Sequence, residues 1–136
     1  MVKEIMRDPM FLQRKSVDAG PMDMPTAIDL LDTLKANFEG CVGMAANMIG
    51  VSKRIIAISD NRKYILMFNP EIIKGYGEYE TEEGCLSLDG ERKTKRFKTI
   101  QVKYTTDKFK QTTRTFTGFT AQIIQHEVDH CNGILI

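Results

Sequence analysis

The chain predicts an α+β fold in which antiparallel strands pack around a central C-terminal helix carrying an HExxH motif, with a further helix near the N-terminus. Three observations predict it. Apolar residues recur at helical spacing over about 25–39 and 118–131, short β-branched runs lie between those stretches, and no connection among the runs is long enough for the crossover helix that parallel strands require. The 136 residues carry 19 Lys+Arg against 18 Asp+Glu, a net charge of +1, and 42% of them are hydrophobic. Such a length suits one domain, 1–136, whose core can form without disulfides. The balanced charge argues against a protein that coats nucleic acid or an anionic membrane.

The first helix is expected over Pro25–Glu39: Asp23 or Pro25 opens it, Ala27, Leu30, Leu31, Leu34 and Phe38 form its stripe, and Gly40 closes it. GCVGMAANMIG, Gly40–Gly50, is too rich in glycine for a regular element and reads as a loop that something approaches closely. Strands are expected at Arg54–Ser59, Tyr64–Phe68, Glu71–Lys74, Phe97–Tyr104 and Gln111–Phe116, punctuated by Asp60-Asn61, Asn69-Pro70 and Thr106-Asp107. The charged cluster Glu91–Arg96 reads as a solvated turn. The last helix spans Gly118–Cys131, with Thr117 at its N-cap and Gly133 past its end.

Three cysteines (Cys41, Cys85, Cys131) make no disulfide framework, and charges break every apolar run of the opening MVKEIMRDPMFLQRKSV. No signal peptide and no membrane span are therefore expected, and a cytoplasmic protein with reduced thiols is.

Both histidines lie in QHEVDH, four residues apart, with Glu127 directly after His126. On a helix that spacing puts both imidazoles on one face, where they can converge on one metal ion. Glu127, turned by about 100°, stands beside the ion and can take a proton from the attacking water. On the same wheel Phe119, Ile123, His126 and His130 form one stripe, and Ala121, Ile124, Val128 and Cys131 a second. Glu127 falls between the two, and Gln122, Gln125, Asp129 and Asn132 fill a band expected to face solvent. A carboxyl among apolar neighbours should have a raised pKa, as a general base and acid near neutral pH requires. A catalytic site of this kind takes a third protein ligand. Cys131 points about 100° away from the histidine stripe, which leaves Cys41, Cys85 or a carboxylate, with Cys85 favoured because Gly84 lets the backbone bend beside it.

GCVGMAANMIG, EGCLS and QHEVDH, in that order, resemble the three signature motifs of the peptide deformylase family, and the likeness extends to the opening RDPMFLQRKS. The resemblance implies a hydrolase that removes the formyl group from the initiator methionine of nascent polypeptides. It implies one divalent metal, Fe(II) first, with zinc, nickel or cobalt as substitutes. Cys85, His126 and His130 would be the ligands and Glu127 the catalytic carboxylate. The Leu86 N–H would face the developing oxyanion, Val42 and Gly43 would pair with the substrate backbone, and Met48, Gly84 and Arg96 would complete the substrate-side set. The implied partners are N-formyl-Met peptides, with no stable nucleic-acid binding and no membrane. Only three residues follow Gly133, so ribosome contact is expected to be at most transient.

Two departures from the family pattern bear on rate. Met48 stands where the family has a glutamine that donates to the oxyanion, and Cys41 where it has a glycine. A thioether donates no hydrogen bond, and losing one such donor costs about 10²- to 10³-fold. A slowed enzyme is expected. The competing readings are an impaired paralogue that binds the metal and (formyl-)Met peptides, and a hydrolase of another N-acyl or peptide substrate. A third departure, Asp89 in place of a common proline, touches only the local loop.

Overall fold

The computed structural model describes residues 1–136. A short helix α1 (Pro9–Leu12) leads to α2 (Met24–Ala36), five strands and a closing helix α3. The strands are β1 (Gly43–Ala45), β2 (Ile55–Asp60), β3 (Lys63–Cys85), β4 (Leu88–Thr105) and β5 (Gln111–Thr117). They form one sheet in the order β1-β2-β3-β4-β5, antiparallel throughout. Short connections permit only this meander.

Alternation along the strands divides the core into two layers. In β2, Ile56 and Ile58 face α3 and meet Ala121, Ile124, Val128 and Cys131, together with Ile100 and Val102 of β4. Ile55 and Ala57 face the other way, onto Ala27, Leu30 and Leu34 of α2. Each fully buried aliphatic side chain contributes about 1.5–3 kcal/mol, so both faces of β2 hold the sheet between the two helices. No helix is long and apolar enough to cross a membrane.

α3 spans Gly118–Cys131, as its periodicity predicts, although Thr117 caps it without a side-chain hydrogen bond. Its C-terminal end is anchored by Ser16 N–H donating to Cys131 O at 2.8 Å. Gly133 there has φ +76°, and a Cβ at this position would lie 2.3 Å from Gln13 O.

Four expectations are corrected. α2 stops at Ala36, leaving Phe38 65% exposed rather than on the buried stripe. Within the glycine loop, Gly43–Ala45 pairs with β2 as a strand. Tyr64–Phe68 and Glu71–Lys74 belong to the single strand β3, and the hairpin of β3 and β4 runs to a two-residue turn at Leu86-Ser87. Glu91–Arg96 is therefore strand rather than turn. The outer part of this hairpin is rich in Gly, Glu and Lys, whose weak strand preference hid it, and register shifts at Phe68/Glu71, Ile72/Lys74 and Gly84/Cys85 bend it.

Candidate metal centre

The bend brings the Glu83-Gly84-Cys85 end of β3 against α3 at Gln122 and His126, while β1 closes on the same helix from the sheet edge. Gly43 permits that approach: a Cβ there would lie 2.6 Å from Ile123 Cγ2 and 3.0 Å from Glu127 Oε2. Between these elements opens a cavity of about 570 Å³ whose wall includes Val42, Gly43, Met48, Gly84, Leu86 and Glu127. Cys85 and His126 also line it, and His130 lies fully buried behind them.

The ligand atoms of Cys85, His126 and His130 lie within 4.8 Å of one another. The two Nε2 atoms face each other at 3.0 Å, and His126 Nδ1 is 2.8 Å from Glu83 Oε1. A thiolate and two imidazoles are the donor set that zinc and ferrous iron accept, so these residues fit a divalent ion. Burial pushes the His126 imidazole down, but hydrogen bonds to Cys85 and Glu83 more than reverse this and hold it up at about 10. Burial and the neighbouring His126 hold His130 down at about 3.

Glu127 is 4% exposed and its Oε1 has no partner within the chain. Burial pushes its carboxyl up to about 7, with His126 opposing and Glu83 reinforcing the shift. The raised pKa expected from the wheel is therefore present. Cys41 also lines the cavity. Its Sγ donates to Gly43 O at 3.0 Å, and burial followed by the Glu127 charge pushes the thiol up to about 12, so it stays neutral and unreactive. Met48 is 1% exposed, and its sulfur accepts from Ala45 N–H at 3.5 Å.

Arg96 is corrected. It is 5% exposed and absent from the cavity wall, because both faces of its guanidinium are spent on carboxylates. Nη2 and Nε bond Glu83, at 2.7 Å from Nη2 to Oε1 and 3.0 Å from Nε to Oε2, and Nη1 bonds Asp129 at 2.7 Å. Gln122 Nε2 also donates to Glu83, at 2.9 Å. Of the α3 band expected to face solvent, Asn132 is exposed, but the rest docks on the hairpin: besides Gln122 and Asp129, Gln125 is 5% exposed and brackets the backbone of Phe97 through both amide atoms. Glu83, missed in the sequence, is the hub of this network. Its only signal was its place two residues before Cys85.

A family model described as polypeptide deformylase matches residues 2–136. A peptide deformylase of Clostridium beijerinckii is 54% identical over 136 residues, covering 100% of both chains, and one of Desulforudis audaxviator is 43% identical over 112 residues, covering 80% of this chain and 71% of the relative. Among solved structures, a Met-Ala-Ser-bound class I type b peptide deformylase of Acinetobacter baumannii superposes with TM-score 0.88 at 29% identity, covering 99% of this chain and 96% of that one. A peptide deformylase of Legionella pneumophila gives 0.88 at 34% identity, over 99% and 83%.

Proposed function

Since the chain belongs to the polypeptide deformylase family, we propose that residues 1–136 form one catalytic domain with Cys85, His126 and His130 as metal ligands and Glu127 as the catalytic carboxylate. The reaction is the metal-dependent removal of the N-formyl group from the initiator methionine of nascent polypeptides. One observation carries the assignment of roles: the three donor atoms converge beside a buried carboxyl that has an oxygen unpartnered, at the wall of a cavity.

Cys85, His126 and His130 would hold a divalent ion, Fe(II) in our reading, with zinc, nickel or cobalt as substitutes, which when bound would supply Lewis acidity and make water nucleophilic at neutral pH. Glu127 takes the proton of the attacking water and later returns one to the departing amine, a two-way transfer favoured by the burial that raises its carboxyl pKa. The Leu86 N–H is assigned to the developing oxyanion and the backbone of Val42 and Gly43 to the peptide, with Gly84 leaving room beside Cys85. Met48, its sulfur turned to Ala45, offers the oxyanion no donor, so a reduced rate follows. The enzyme acts in the cytoplasm, without stable nucleic-acid or membrane binding and with at most transient ribosome contact.

The test is formate release from formyl-Met-Ala-Ser under anaerobic Fe(II), or with nickel or cobalt loaded. Glu127→Ala should lose about 10²- to 10⁴-fold in rate, and Met48→Gln should gain up to about 10²-fold. No formate from either wild type or Met48→Gln at full metal occupancy would overturn the reading, and a Met48→Gln rate no faster than wild type would remove the oxyanion argument.

A further inference from the structure

We propose that Asn47 is a positioning residue for His130, its Oδ1 accepting the Nδ1 proton of that imidazole when Nε2 is turned to a metal ion. The inference rests on the ligand assignment above and concerns what holds the second histidine in place.

Asn47 lies in the 3-10 turn Ala46–Ile49 that follows β1, and it is 0% exposed. A fully buried amide is costly unless its atoms are bonded. Half of it is: Nδ2 donates to His130 O at 2.9 Å, joining positions 83 residues apart in the chain. The other half is not, since Asn47 Oδ1 has no partner within the chain. Neither does His130 Nδ1, which is likewise buried. One is an acceptor. The other becomes a donor once Nε2 offers its lone pair, because a neutral imidazole carries its single proton on the opposite nitrogen. Two complementary orphans thus sit on two residues already bonded to each other.

Metal-ligating histidines almost always give their second N–H to an acceptor, which fixes ring orientation and tautomer. His126 has Glu83 for this purpose, at 2.8 Å. His130 has no carboxylate, and Asn47 fills the role through a direct bond or one internal water. Ser16 supplies the natural comparison: its backbone N–H holds Cys131 O, and its buried Oγ is also unpartnered.

The experiment titrates zinc into the metal-free full chain against a chromophoric chelator, for wild type, Asn47→Ala, Asn47→Asp, Ser16→Ala and His130→Ala. Asn47→Ala should bind zinc about 10- to 100-fold more weakly, whereas Asn47→Asp, which keeps the acceptor but loses the amide donor, and Ser16→Ala should stay within about threefold of wild type. In the zinc-loaded protein, the ring N–H resonance of His130 should be protected from exchange in wild type and Asn47→Asp and lost in Asn47→Ala. A merely structural asparagine predicts instead that Asp and Ala weaken zinc alike, and that result, or an Asn47→Ala affinity equal to wild type, overturns the proposal. Should Asn47→Ala not fold, the Asn47→Asp affinity and its histidine resonance decide. Wild-type zinc affinity in His130→Ala overturns the ligand assignment itself.

Discussion

Glu83 shows how one side chain is held ionised inside the protein. Burial pushes its carboxyl up, yet hydrogen bonds from His126, Arg96 and Gln122, with the Arg96 charge, hold it down at about 2 against an ordinary 4.5. A depressed carboxyl stabilises the folded state fully above its ordinary range, and that contribution disappears as pH falls from about 4.5 to 2. Urea unfolding of the metal-free protein across this window should therefore show stability dropping with acid. Glu83→Gln should flatten the slope and cost about 3 kcal/mol at pH 7, because Arg96 is left buried with its main counter-charge removed. An unchanged acid slope would show that the carboxylate is not ionised by this network. The same residue orients His126, so the variant should also bind metal more weakly.

At the scale of elements, two glycines do different work, and substitution separates them. Gly43 lets β1 lie against α3, where a Cβ would press on Ile123 and on the Glu127 carboxylate. Gly43→Ala should cost about 10²-fold in kcat/KM while the circular dichroism spectrum stays that of wild type, since a displacement of about 1 Å at a catalytic group suffices for such a loss. Gly133 ends α3 with φ +76° and sits 2.3 Å, at the Cβ position, from Gln13 O. Gly133→Ala combines a left-handed backbone penalty of about 1–2 kcal/mol with that clash, and should lower Tm by about 5 °C or more with kcat little changed. Reversal of these two phenotypes would mean that β1 serves stability and the helix end serves catalysis. The β3–β4 hairpin links both roles, because its bend delivers Glu83 and Cys85 to α3 and its β4 edge receives Gln125 and Asp129 of the same helix.

For the whole molecule, the two apolar layers on either face of the sheet are complete without any metal, which predicts that a chelator such as 1,10-phenanthroline abolishes activity and leaves the fold. Metal bound by the folded state alone stabilises it by about 2.7 kcal/mol at 100 Kd, so Tm should fall on chelation and recover with added zinc. Loss of secondary structure on chelation would contradict this. Much of that design was legible in the chain. Periodicity located α3 to the residue, β-branched runs located β2 and β5 closely, and the four-residue histidine spacing paired His126 with His130, because these signals depend only on local geometry. The motif resemblance singled out Cys85, and the departure at Met48 was visible as a change of side-chain chemistry. The outer hairpin, the docking of Gln125 and Asp129, the burial of Arg96 and the hub at Glu83 were not legible. Each depends on a long-range pairing between hydrophilic segments, and a charged residue on a strand reads as solvated until its partner is known. Local patterning sufficed for the fold class, the helix that presents the histidines and the chemistry of the donors. Which charges are buried together followed from long-range packing, because it depends on where the chain brings distant carboxylates and a guanidinium into contact.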